Sequence, residues 1–233
     1  MELNRIIDYT LLKAEATRKE VLEVIEEAKK QRFYAICISP SWVFLAAKEL
    51  KRDPTVVCTV IGFPFGTNTS EAKAFETKNA IENGADEIDM VMNIGALKSG
   101  MEEKVQADMQ AVVDVAKDQA LVKVIIEMTL LTKEELLKAC ELARAAGADF
   151  IKTSTGLLKV NTTVAEVKLL KEIVAPEMGV KVSCGIYDED EALAMLEAGA
   201  SRLEISASVS MMTKNDKMKK LGGGRWQRQK KNG

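Results

Sequence analysis

Three lysines stand inside short apolar runs of strand character: Lys123 in LVKVIIE, Lys152 in FIKTSTG and Lys181 in VKVSCG. A fourth run, EIDMV, carries Asp89 between Ile88 and Met90. A charge buried without a partner is destabilising, and Lys and Asp are rarely fully buried unless paired. One such lysine would read as a surface residue at a strand end or as half of a structural ion pair. Three lysines plus a carboxylate read as a cluster that converges in space. In such a cluster each ammonium disfavours protonation of its neighbour and burial adds to the effect, so the expectation is one lysine held as a neutral amine near pH 7. A neutral lysine attacks a carbonyl to form a Schiff base, whose iminium draws electrons from the adjacent carbon–carbon bond. Asp89 would then shuttle protons, directly or through water and a second lysine. This chemistry requires no metal and no organic cofactor. The chain contains no His, which removes imidazole bases, Ser-His and Cys-His pairs and histidine metal ligands from consideration.

Eight apolar runs can supply the strands that hold these residues: 5–10, 35–39, 56–63, 87–92, 121–128, 150–155, 180–184 and 202–206. Segments of helical period lie between them, over Arg18–Gln31, Ser41–Leu50, Ser70–Asn83, Glu102–Ala116, Thr132–Ala146, Thr163–Val174 and Asp188–Glu197. Strand and helix in alternation is the pattern of parallel βα units. Three of the helices end in one phrase, Asn83-Gly84-Ala85-Asp86, Ala146-Gly147-Ala148-Asp149 and Ala198-Gly199-Ala200-Ser201, and each phrase runs straight into a strand. A glycine at a helix C-terminus takes positive φ at little cost, so the phrase reads as one loop design used three times. A closed (β/α)8 TIM barrel accounts for eight two-sided apolar strands and for this repetition; an open doubly wound sheet is the alternative. In a barrel, inward residues near the C-terminal ends of strands face the mouth where sites are built, which is how Asp89, Lys123, Lys152 and Lys181 would meet.

The 233 residues carry 33 Lys or Arg against 35 Asp or Glu, a formal net charge of −2. That balance argues against a basic nucleic-acid binder, and no apolar run approaches the length that spans a bilayer. Four cysteines, at 37, 58, 140 and 184, sit singly without a CxxC pair, as expected of reduced thiols in a cytoplasmic protein. The expected organisation is a barrel domain over 1–212 and a basic tail over 213–233. Residues 214–233 hold eight Lys or Arg and one Asp, a net +7, around Gly222-Gly223-Gly224. A flexible extension without a catalytic role is the expectation there.

Taken together and in order, IDYTLLK (7–13), VVCTVIGFPFG (56–66), GADEIDMV (84–91), LVKVIIE (121–127) and AGADFIKTSTG (146–156), with the Lys181 strand, resemble the class I deoxyribose-phosphate aldolases over roughly residues 3–212. The resemblance implies a TIM barrel that reversibly cleaves 2-deoxy-D-ribose 5-phosphate to acetaldehyde and D-glyceraldehyde 3-phosphate, without cofactor, in the cytoplasm, and as a homodimer. By position it makes Lys152 the Schiff-base lysine, Lys181 the lysine that perturbs it and Asp89 the proton-relay aspartate. It places Asp8 and Lys123 among the polar residues lining the pocket and Cys37 near the aldehyde path, and it puts Thr153, Gly156, Gly185, Glu204 and Ser206 around the substrate.

The chain departs from this family where the family holds phosphate. A Gly-Gly pair followed by Arg is expected after Lys181, but the chain reads Ser183-Cys184-Gly185-Ile186-Tyr187. A glycine is expected where Glu204 stands, and the stretch Leu157-Leu158-Lys159-Val160-Asn161 is apolar for a phosphate site. A carboxylate repels a phosphate, and side chains added to amide-presenting glycines close the space an anion needs. Weakened phosphate recognition is therefore expected. Three alternatives follow: a redesigned iminium or enamine carboligase for a non-phosphorylated or amine-bearing aldehyde, a family member that holds phosphate by other groups, or a catalytically silent barrel scaffold.

Overall fold

The computed structural model describes residues 3–158 and 160–207. The segment 213–233 lies outside the described residues, as do Ser208 and Lys159. Each apolar run forms a strand: β1 Ile7–Leu11, β2 Ala35–Ile38, β3 Val56–Ile61, β4 Glu87–Val91, β5 Leu121–Ile125, β6 Phe150–Lys152, β7 Gly179–Val182 and β8 Arg202–Ser206. All pair in parallel with their sequence neighbours, and β8 closes on β1, giving a barrel rather than the open sheet. Alternation sorts their side chains. Ile88, Met90, Val122, Val124, Ile151, Val180, Val182, Leu203 and Ile205 join one buried cluster with helix residues such as Val105, Met109, Val112 and Leu170, each contributing roughly 1.5–3 kcal/mol by burial. Glu87, Asp89, Lys123, Lys152, Lys181, Arg202 and Glu204 take the opposite, inward positions. No described helix is long and apolar enough to cross a membrane.

The helices are α1 Arg18–Gln31, α2 Val43–Glu49, α3 Ser70–Glu82, α4 Ile94–Lys98, α5 Glu102–Ala116, α6 Lys133–Ala145, α7 Val164–Val174 and α8 Glu189–Glu197. Thr17, Thr132 and Thr163 open α1, α6 and α7 with reciprocal bonds to Glu20, Glu135 and Glu166, the S/T-x-x-E device that satisfies first-turn amides. The expected helix Ser41–Leu50 is divided: Pro40–Trp42 winds as a tighter 3-10 turn before α2 begins. Helix α4 was not anticipated from periodicity, being five residues long and started by the Asn93 side chain, which accepts from the Ala96 amide. Strands β3, β5, β6 and β7 stop two or three residues before the ends of their apolar runs, and run 56–63 breaks at Gly62, whose φ is 61°. Runs 121–128 and 180–184 break where Glu127 and Cys184 adopt φ of 47° and 65°, and run 150–155 breaks where the Thr153 side chain bonds the Ser183 backbone.

The repeated phrase is one loop built three times. Gly84, Gly147 and Gly199 take φ of 101°, 81° and 107°. The following alanine amides bond back to the carbonyls of Ala80, Ala143 and Met195, which closes a Schellman motif. Asp86 and Asp149 then accept from the Val57 and Val122 amides of the preceding strands, fixing the register of the next. A Cβ on Gly84 would meet the Ala47 Cβ at 2.5 Å, whereas one on Gly147 would rest 3.5 Å from Val113. Gly147→Ala is expected to cost about 1–2 kcal/mol from left-handed backbone alone. Gly84→Ala should cost clearly more in urea denaturation, because its clash adds to the same strain.

Candidate active site

The barrel interior holds a buried ionic network. Asp89 is its hub: Oδ1 accepts from Lys123 at 2.9 Å and from the Cys58 thiol at 3.2 Å, while Oδ2 accepts from Lys152 at 2.9 Å and Lys181 at 2.7 Å. Each lysine has a second carboxylate of its own. Lys123 pairs with Glu87 at 2.6 Å, Lys181 with Asp8 at 2.5 Å, and Lys152 is in direct contact with Glu204. Lys181 lies 3.4 Å from Glu204 as well. Arg202 then bonds Asp8 at 2.8 Å and Glu87 at 2.9 Å, with its guanidinium 3.7 Å above the Tyr34 ring. Four cations and four anions thus balance, and the three lysines, Asp8 and Asp89 have no exposed surface.

Strand register explains this convergence. Asp89 faces Lys123 across β4–β5, Lys152 faces Lys181 across β6–β7, and Asp8 faces Glu204 across β1–β8. Glu87 and Asp89 are two apart on β4, and Arg202 and Glu204 two apart on β8, so each pair shares the inner face. Lys152 is the last residue of β6, which puts its amine toward the C-terminal mouth, and Glu204 at the rim retains 9% exposure.

The charge state differs from the sequence expectation of a neutral lysine. Burial alone would lower the Lys152 pKa, and so does the Lys181 charge, but the Asp89 and Glu204 carboxylates outweigh both and hold it above the ordinary lysine value. Lys181 and Lys123 are raised in the same way, chiefly by Asp8 and Asp89 respectively. The expectation gave Asp89 only a proton-shuttle role and did not weigh the carboxylates folded against each lysine. Asp89, whose burial would raise it, is driven well below its usual range by its three lysines, and Asp8 is lowered by Lys181 and Arg202.

The remaining predicted residues fall in five places. Asp8 and Lys123 lie beneath the mouth, touching Lys181 and Asp89 rather than Lys152. Cys37 is wholly buried in an inner cluster with Cys58 and Val60, packed by Leu12 and Phe63. Thr153 spends its hydroxyl on the β6–β7 junction, accepting from the Ser183 amide and donating to the Ser183 carbonyl, and Thr162 donates to it in turn. Gly156 and Gly185 both hold positive φ, of 82° and 87°, in the turns above Lys152 and Lys181. A Cβ on Gly156 would lie 3.6 Å from Glu204 Oε1 and 3.8 Å from Cys184 Sγ, so these three line one rim. Ser206 closes β8 at an exposed position.

Sequence reasoning missed Glu87, Arg202, Cys58 and Glu127. Glu87 and Arg202 carried a usable signal: each is a charge two residues from a selected one within a strand. Glu127 carried none, because its role depends on left-handed backbone. It is 4% exposed, and one carboxylate oxygen accepts from the Thr155 amide and hydroxyl, which anchors the turn after Lys152. Among the described residues, two donor sets have metal-like spacing, Cys37-Cys58-Asp89 and Asp8-Cys58-Glu87. In both, the carboxylates already accept from Lys123, Lys181 or Arg202, and burial pushes the Cys58 thiol well up, against the thiolate a metal needs.

Asp8 and Asp89 set a pH limit on stability. Their folded pKa values lie below 3.8, so their contribution is present above that value and lost as pH falls through the folded values. The lysines are raised above 10.5, so theirs is present below 10.5 and lost only at more alkaline pH. Unfolding free energy from urea melts should therefore be nearly level between about pH 5 and 10 and decline below about pH 4.

Comparison with known proteins gives a consistent set of matches. The family model described as DeoC/LacD family aldolase matches residues 6–211. The deoxyribose-phosphate aldolase of Enterococcus faecalis is 55% identical over 213 residues, covering 91% of this chain and 97% of that one. Its counterpart from Lactococcus lactis subsp. lactis is 55% identical over 219 residues, covering 93% and 99%. Among solved structures, the tetrameric deoxyribose phosphate aldolase of Aeropyrum pernix superposes with a TM-score of 0.84 at 32% identity, covering 93% of this chain and 92% of that one.

Proposed function

The chain belongs to the DeoC/LacD family of aldolases, and from that premise we propose that it reversibly cleaves 2-deoxy-D-ribose 5-phosphate to acetaldehyde and D-glyceraldehyde 3-phosphate through a Schiff base on Lys152. The observation that carries this reading is the position of Lys152: a fully buried amine at the end of β6, at the mouth of the barrel, touching Asp89 and Glu204 and sharing Asp89 with Lys181. The neutral amine attacks the sugar aldehyde and loss of water leaves an iminium. A proton leaves the hydroxyl on the carbon beyond the breaking bond, glyceraldehyde 3-phosphate departs, and the electron pair is stored as an enamine. Protonation of the enamine carbon and hydrolysis release acetaldehyde and restore Lys152. Lys181 and Asp89, bonded at 2.7 Å, form the relay that moves these protons. The iminium keeps the charge of the ammonium it replaces, so the network stays balanced through the cycle.

A second reading, a related aldol reaction on a non-phosphorylated aldehyde, is favoured by Glu204 and Cys184. Glu204 places a carboxylate at the rim beside the reacting amine, and Cys184 puts a side chain on left-handed backbone where a glycine would be at ease. The proposed assembly is a homodimer, in contrast to the Aeropyrum tetramer, and the proposed compartment is the cytoplasm, in keeping with four free cysteines. Light scattering on the purified chain reads the assembly.

Lys152→Ala is expected to abolish cleavage, losing at least about 10³-fold in kcat and all borohydride-trapped acetaldehyde adduct. Retention of most activity by this variant would refute the assignment. Comparing kcat/KM for deoxyribose 5-phosphate and unphosphorylated deoxyribose separates the two substrate readings. A ratio under about tenfold, less than 1.4 kcal/mol of phosphate recognition, supports the second, and a ratio of hundreds or more supports the first.

A further inference from the structure

Each lysine of the network shares Asp89 and has a nearest second carboxylate, and these three carboxylates are not equivalent. Glu87 and Asp8, the partners of Lys123 and Lys181, are both bound by Arg202. Glu204, the partner of Lys152, has no such bond to Arg202 among the described residues; its Oε2 contacts Lys152 and lies 3.4 Å from Lys181, and its Oε1 lies toward the Gly156 turn. It is also the most exposed of the four anions.

Lys152 must lose a proton before it can act as a nucleophile. A proton released to solvent would leave the buried network with an uncompensated negative charge, which is strongly unfavourable. A proton passed to a carboxylate of the network leaves it neutral. Lys152 touches two carboxylates. Asp89 is held by three ammonium groups and a thiol, so it is the poorer acceptor, while Glu204 faces fewer cations and reaches the rim where substrate enters.

We propose that Glu204 is a catalytic residue that takes the proton from the Lys152 ammonium and returns it to the departing carbinolamine oxygen. This rests on the Schiff-base reading above. Glu204 Oε2 accepts one ammonium proton, and the free amine pair forms the C–N bond while the carbonyl π pair moves to oxygen. A second proton then passes from nitrogen to that oxygen. Glu204 returns its proton to the hydroxyl, the C–O bond breaks and water leaves as the nitrogen lone pair forms the iminium. Ammonium plus aldehyde has become iminium plus water, with Glu204 again a carboxylate.

The test is the single-turnover rate at which acetaldehyde becomes trapped on Lys152 by cyanoborohydride, located by peptide mass spectrometry, in the wild type and in Glu204→Gln, Glu204→Gly and Glu204→Asp. Glu204→Gln and Glu204→Gly should each form the adduct about 100-fold more slowly; Glu204→Asp, which keeps an acid, should recover most of the rate. A carboxylate serving only to balance charge predicts the opposite sign, because its removal leaves the Lys152 amine easier to deprotonate. An unchanged or faster rate in either folded variant would overturn the proposal while leaving the Schiff-base reading intact. Absence of a Lys152 adduct in the wild type would overturn both.

Discussion

Electroneutrality inside a closed barrel is the constraint on which the rest of this structure depends. Lys123, Lys152, Lys181 and Arg202 face Asp8, Glu87, Asp89 and Glu204 where little water reaches. No member can be deleted or change charge alone without leaving its partners buried and unmatched, a penalty of about 3–5 kcal/mol for a broken buried pair. The network therefore fixes the inner register of six strands and admits only chemistry that conserves its charge. Conversion of an ammonium to an iminium satisfies that condition. Simple ionisation of a lysine to water does not.

The constraint also recasts how a lysine here becomes reactive. Crowding of cations is the familiar route to a neutral amine, and Lys181 does act on Lys152 in that direction. In this chain the carboxylates win, and Lys152 rests as an ammonium. Under the proposed Schiff-base reading, its reactivity must then come from a proton acceptor close enough to work at the moment of attack.

Much of this was legible in the sequence because period-two alternation carries both fold and site. Asp89 between Ile88 and Met90, and Lys152 after Ile151, announce an inner charged face and an outer apolar one in the same few residues, and the thrice-used glycine phrase marks where strands restart. Two things were not legible. The convergence of Asp89 with the lysines was read, but the second carboxylate beside each lysine, Glu87, Glu204 and Asp8, depends on how the closed barrel sets its inner layers, so the direction of the lysine pKa shift could not be assigned. Strand ends were misplaced because apolar composition runs past Ile125 and Val182, whereas the backbone is turned by Glu127 and Cys184, residue types that give no warning of positive φ.

Those early strand ends have a chemical consequence. Since β6 stops at Lys152, the next residues turn away: Thr153 ties to Ser183, Thr155 is caught by Glu127, and Gly156 passes over Glu204 so closely that a Cβ there would touch its carboxylate. The proposed nucleophile, Lys152, is thus the last residue of the rigid barrel strand and the first of the mouth. Below it, Arg202 clamps Glu87 and Asp8, and Asp89 is saturated with donors. Depth in the barrel therefore orders the acids by how firmly each is held, and the least firmly held one meets the amine that has to give up a proton.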